Sequence, residues 1–280
     1  VDYPRKVELY GVDKSVWHLH GRGMGREGVV MSGVKGLYHP IRVQRDLRPA
    51  FMAGAVPGIP KTDPQVTDLK VFSSAPTGIE WERVENAWWR ALSDEEDFTL
   101  RVYNRAATAY RECPYRVQTW PEDDMDSEPE EDWPWAIPLI AYRPGWRGPT
   151  ITSQWPANGV PATGSGTLKF VNPGDLDVWV QVSLTNTGTQ KWTVPDGIGG
   201  ATVALEQFSA GVGNLFINTD PFALQLESHV ESQIAASLLG MRFRFPIPAN
   251  TRKPVTVPIS VTGGAGVAKA YITPMWKRPW

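Results

Sequence analysis

The stretch Val178-Trp179-Val180-Gln181-Val182-Ser183-Leu184-Thr185 alternates Val178, Val180, Val182 and Leu184 with side chains of other kinds. A period of two sends successive side chains to opposite faces of a strand, so the four aliphatic residues share one face. Val255, Val257, Ile259 and Val261 repeat the pattern near the end of the chain. Shorter extended runs lie around these two, at 167–171, 202–205, Leu215–Asn218, 222–226, 241–245 and Ala268–Ile272, separated mostly by Gly, Pro, Asn and Asp. About eight short strands at such spacing predict a β-sandwich or jelly roll. Only 228–240 reads as helical, with Ser228 and Glu231 at capping-box spacing and Gly240 as the stop.

Upstream, one segment has helical periodicity. Thr77-Gly78-Ile79-Glu80 has capping-box spacing, and Trp81, Val84, Trp88 and Leu92 follow at steps of three and four. Glu80, Glu82 and Glu85 near its start and Arg90 near its end suit the helix dipole. The stripe is expected to bury Trp81 and Trp88 on a sheet, while Trp89 lies off it and must meet a second surface or stand exposed. Extended runs at 28–34, 66–72 and Phe98–Tyr103 surround the helix. The fold class is therefore mainly β, with one packed helix. At 280 residues the chain exceeds what one core usually serves. The expected division is a first domain over 1–148 with an acidic loop at 121–132, a Pro/Gly-rich linker at 149–166, and a sandwich over 167–280.

Apolar residues make up 41% and charged residues 21%, a globular composition. The net charge is −2, and no Lys/Arg-rich run promises nucleic-acid binding. Eight of the eleven residues 122–132 are acidic, which reads as a solvated loop, since the run lacks the glycine turn and spaced ligands of a calcium loop. Cys113 is the sole cysteine, so no internal disulfide forms and an inert thiol is expected. No apolar leader or membrane-length stretch occurs, which predicts a soluble protein made in the cytoplasm. A start on Val1 hints at trimming.

Motifs for chemistry fail on context. Gly23-Met24-Gly25-Arg26-Glu27-Gly28 matches the dinucleotide string, but a strand-like run follows it where a helix is needed. His18 and His20 share a strand face without a Cys or carboxylate cluster at ligand spacing. Asp175, Asp177, Asp196 and Asp220 fall at turns, where turn chemistry accounts for them. No catalytic, cofactor or metal residue is predicted.

Four motifs, in order, carry a resemblance: Trp192-Thr193-Val194-Pro195-Asp196-Gly197, Ile217-Asn218-Thr219-Asp220-Pro221, Phe245-Pro246-Ile247-Pro248 and the closing Met275-Trp276-Lys277-Arg278-Pro279-Trp280. With the 28–37 run and the Trp-bearing helix, their collinearity resembles the distal tail proteins of long-tailed bacteriophages, often described as minor tail proteins in phages of actinobacteria. The acidic block and its Trp/Pro-rich sequel to Trp146 depart from that pattern. The resemblance implies an N-terminal belt domain and a C-terminal galectin-like β-sandwich. It further implies a homo-hexameric ring at the virion tail tip that joins the tail tube protein to the hub and other minor tail proteins and lets DNA pass. Tryptophan is a favoured interface anchor, so the candidate interface residues are Trp81, Trp88, Trp89, Trp179, Trp276 and Trp280. A glycan-binding jelly roll using Trp179 is the alternative, and a β-sandwich hydrolase the third.

Overall fold

The computed structural model describes residues 5–280 except 41, 45, 49–50, 52, 57, 59–60 and 123–131. Most of the acidic loop expected at 121–132 thus lies outside the described residues. The chain forms two compact units, Val1–Arg147 with Trp276–Trp280, and Gly148–Met275.

The first unit holds β1 (Val7–Tyr10), β2 (Val16–His20), β3 (Val29–Lys35), β4 (Arg42–Val43), β5 (Lys61–Thr62), β6 (Gln65–Ser74), α1 (Gly78–Ala91), β7 (Phe98–Tyr103), β8 (Tyr110–Val117), β9 (Asp132–Ala141) and β10 (Trp146–Arg147). Its main sheet runs β2-β1-β7-β8-β9-β6-β3. Along β6 burial alternates strictly: Leu69 and Val71 point into the core, while Val66 and Phe72 point out. Thr77 caps α1 as its spacing predicts, accepting the Glu80 N–H at 3.3 Å. Trp88, Ala91 and Leu92 are buried, and Trp88 meets Trp17 edge to face at 5.1 Å. Trp81 and Val84, on the same stripe, are only half-buried. The helix therefore seats its C-terminal half on the core more deeply than its first turns.

The second unit holds β11 (Ile151–Trp155), β12 (Ala162–Asn172), β13 (Gln181–Leu184), β14 (Gln190–Asp196), β15 (Ala201–Phe208), β16 (Leu215–Asn218), β17 (Leu226–Ser228), β18 (Thr251–Gly266) and β19 (Ala268–Ile272); β20 (Met275–Trp276) leads out of it. Two antiparallel sheets, β11-β19-β13-β16-β17 and β12-β18-β14-β15, share one core that includes Phe170, Trp192, Val182, Leu184, Ile217 and Ile259. The founding alternation holds in burial, with Val178, Val180, Val182 and Leu184 all inside. The ladder itself starts only at Gln181. Thr219 takes over at Val180, its hydroxyl accepting the Val180 N–H at 2.9 Å and its N–H donating to the Val180 carbonyl at 3.0 Å.

Three expectations are corrected. Residues 149–166 are not a linker: they supply β11, which pairs with β19 along its whole length, and the start of β12. Their Pro156, Gly159 and Pro161 mark the connection between two strands of one unit. Gly166 is needed there, because a Cβ on it would fall 1.7 Å from the Trp155 indole nitrogen. The segment 228–240 is not an α-helix; a strand ends at Ser228 and only a 3-10 turn, Ile234–Leu238, follows. The cap itself forms, with the Ser228 hydroxyl accepting from the Val230 and Glu231 N–H groups, so a local signal is honoured without a helix behind it. Finally, 241–245 is not a strand, and of 222–226 only Leu226 enters one.

Candidate functional site

The motif-bearing residues of the first unit are absorbed by local structure. Gly23, Gly25 and Gly28 all adopt positive φ, and the segment is a chain of turns delivering β3 rather than a helix. Glu27 in that turn accepts from the His18 backbone N–H and faces its Nδ1 at 2.8 Å. His20 turns its Nδ1 to the Arg5 carbonyl at 2.7 Å. Among the described residues, no group of three or more His, Cys, Asp or Glu is arranged to hold a metal. No helix among them is long and apolar enough to cross a membrane. Burial pushes the Cys113 thiol up to about 11, so at neutral pH it stays protonated and unreactive.

Glu8 is the most heavily engaged buried carboxylate near these histidines. It accepts from the Tyr10 and Tyr103 hydroxyls at 2.9 and 2.8 Å, pairs with Lys6, and faces His18 Nε2 at 3.3 Å. Burial raises its pKa, but the hydrogen bonds from Lys6, Tyr103 and Tyr10 outweigh that and hold it below the ordinary glutamate value. A depressed carboxylate stabilises the fold above its unfolded pKa and ceases to do so as pH falls through the folded one. Glu8→Gln is therefore expected to lower the melting temperature at pH 7, by about 1–3 kcal/mol in stability. The gap to wild type should narrow as pH drops below the ordinary glutamate value. Melts across pH check this, and a gap independent of pH contradicts it.

Each of the six candidate interface tryptophans has a setting within its own chain. Trp88 is fully buried. Trp81 is half-buried and donates its indole N–H to Ser73 Oγ at 3.1 Å. Trp89, expected to seek a second surface, finds it in its own chain: it packs edge to face on Trp135 at 4.9 Å and donates to Glu85 at 2.6 Å. Trp276 carries the Arg111 guanidinium at 4.0 Å, and Trp280 carries Arg5 at 4.2 Å while meeting Tyr38 edge-on. Trp179 is half-buried, which reduces the flat platform that sugar stacking needs.

Apolar exposure falls on other residues. Between β4 and β5 a hairpin rises, with Leu47 and Val56 exchanging both backbone hydrogen bonds at 2.9 Å. Leu47 and Val56 are exposed, and Phe51 at its tip is 100% exposed. In the second unit Phe222, Leu224, Leu239, Met241 and Phe245 are also exposed, and Leu224 and Met241 line a groove of about 290 Å³. In the sequence, 222–226 and 241–245 read as strands and the hairpin stretch carries no periodic pattern, so neither stands out as a surface; only the absence of a strand over 241–245 and most of 222–226 leaves their apolar side chains open. Apolar surface gathered in this way marks contact sites.

No protein-family model matches the sequence, and no curated protein matches it. Solved structures do match. The crystal structure of SPP1 Dit (gp 19.1), described as a paradigm of hub adsorption apparatus in phages infecting Gram-positive hosts, aligns over 96% of this chain and 98% of its own, with a TM-score of 0.61 at 12% identity. The chain has the Dit fold. A chain of the phage p2 baseplate, in its activated conformation with Sr, aligns over 96% and 98% with a TM-score of 0.52 at 9% identity. The Dit fold therefore spans both units, and at such identity it rests on architecture rather than on shared residues.

Proposed function

We propose that this protein is a structural, non-enzymatic component of a phage tail tip. Six copies close into a ring through residues 1–148, join the tail tube protein to the hub and other minor tail proteins, and leave a passage for DNA. The second unit serves as a galectin-like sandwich facing those partners, and its apolar segment 222–245 supports such a contact. The observation that carries the proposal is the Dit fold over 96% of the chain. The hairpin adds to it: the exposed Leu47, Phe51 and Val56 are explained by a neighbouring copy. A heterologous contact repeated about a closed axis satisfies every subunit equally. The first unit's charge balance of −4 over residues 1–148 suits a conduit that must let phosphate slide.

Electron microscopy of the purified protein at high concentration, and of tails carrying a tagged copy, tests this. Six-fold rings at the tube–tip junction are expected. A protein that is monomeric in both settings overturns the proposal.

A further inference from the structure

Residues Trp276–Trp280 follow the second unit in the chain but belong to the first. Trp276 carries the Arg111 guanidinium at 4.0 Å, and the same arginine donates to the Arg278 carbonyl at 2.9 Å. The Lys277 carbonyl accepts the His39 N–H at 2.9 Å. Pro279 is buried. Trp280 packs against the first core, with Arg5 over its ring and Tyr38 edge-on at 4.8 Å.

Tyr38 and His39 form the root of the β4–β5 hairpin, whose first strand begins at Arg42. The two legs of that hairpin are held differently. The second runs from Thr62 into β6 at Gln65, which pairs with β9 in the main sheet. The first leaves β3 at Lys35 and crosses 36–40 outside any strand. There the Trp146 indole N–H holds the Leu37 carbonyl at 3.0 Å, and the segment 276–280 holds Tyr38 and His39. A two-stranded hairpin is marginal by itself, so the exposed Leu47, Phe51 and Val56 depend on both legs being fixed.

Chain order makes this support conditional. The segment is reached only after the chain has passed through Gly148–Met275. That unit, once folded, ties its own ends together. The Gly148 N–H donates to the Pro274 carbonyl at 2.9 Å, and β11 pairs with β19 from Ile151 and Ile272 onward. The folded unit therefore delivers Trp276 within a few residues of the point where the chain left the first unit. Unfolded, it leaves a loop of more than a hundred residues to be closed, at an entropic cost, before the segment can dock. Closing that loop in advance raises the effective concentration of the segment at its docking site.

We propose that Trp276–Trp280 is a strap that sets the hairpin, so that the hairpin is held ready for contact only in a chain whose second unit has folded. The strap stands on these contacts alone, and its bearing on assembly rests on the ring proposed above.

Hydrogen exchange on the full-length protein tests it, read at the amides of His39, Leu47 and Val56. Trp280→Ala is expected to speed exchange at all three by about tenfold or more, while the amides of β7 and β8 keep their protection. Trp280→Phe, which keeps a ring against Tyr38, should restore most of the loss. Trp192→Ala, in the core of the second unit, should speed the same three amides although it lies outside the first unit. Hairpin amides that keep the wild-type rate in Trp280→Ala, or that speed up only together with β7 and β8, overturn the strap. Hairpin amides indifferent to Trp192→Ala overturn its dependence on the second unit. Ring yield is read separately: full yield from Trp280→Ala overturns the role in assembly. A wild type without rings removes the ring alone, and the exchange rates still decide the strap.

Discussion

Phe51→Asp leaves the subunit as stable as wild type and abolishes ring assembly. Phe51 is fully exposed, so its loss removes no intramolecular packing, and the melt of the isolated subunit should be unchanged. In the proposed ring the same ring face is buried against a neighbour. Truncating an aromatic anchor costs about 2 kcal/mol or more, and a carboxylate placed in an apolar contact adds a desolvation penalty. That loss recurs at every junction of a closed ring, so assembly fails cooperatively rather than weakening in proportion. Mass measurement at high concentration and the yield of intact tails read the outcome. Val160→Asp, at a residue exposed in the second unit, serves as the control that should still assemble. Rings from the Phe51→Asp protein would take the hairpin out of the interface.

Trp88→Ala has the opposite signature, a large loss of stability confined to the first unit. The side chain is fully buried under α1 and sits edge-on to Trp17 at 5.1 Å. Removing a buried tryptophan costs about 3–5 kcal/mol, a large share of the ~5–15 kcal/mol that holds a domain together. Calorimetry should show the first unit's transition falling steeply while that of residues 148–275, which have a core of their own, stays in place. Trp88→Phe should cost much less, because the Trp88 indole N–H has no hydrogen-bond partner among the described residues to lose. A shift of the second transition by the same amount would show that the two units melt as one.

Much of the fold was legible because it is written in short-range patterns. The alternation at Val178–Leu184 predicts which side chains turn inward even where Thr219, not a strand, satisfies the backbone. The cap at Thr77 forms as its spacing demands. The failures are equally specific. Ser228 caps a turn that never becomes a helix, since a cap contributes only a fraction of what tertiary packing can offset. The Pro/Gly-rich 149–166 stretch reads as a linker by composition and becomes strands because β19 offers β11 a complete partner edge.

The sequence by itself determined that this is a mainly β chain with one capped helix and no catalytic motif, because strand faces, caps and turns follow from neighbours a few residues apart. Tertiary structure alone decided the fate of the tryptophans and of the surface. Whether Trp89 stands out or packs depends on Trp135 and Glu85 arriving from β9 and from its own helix, and whether Phe51 is covered depends on which elements fold back over it. Such outcomes are set by non-local pairing, in which each residue's energy depends on partners that the local pattern does not encode.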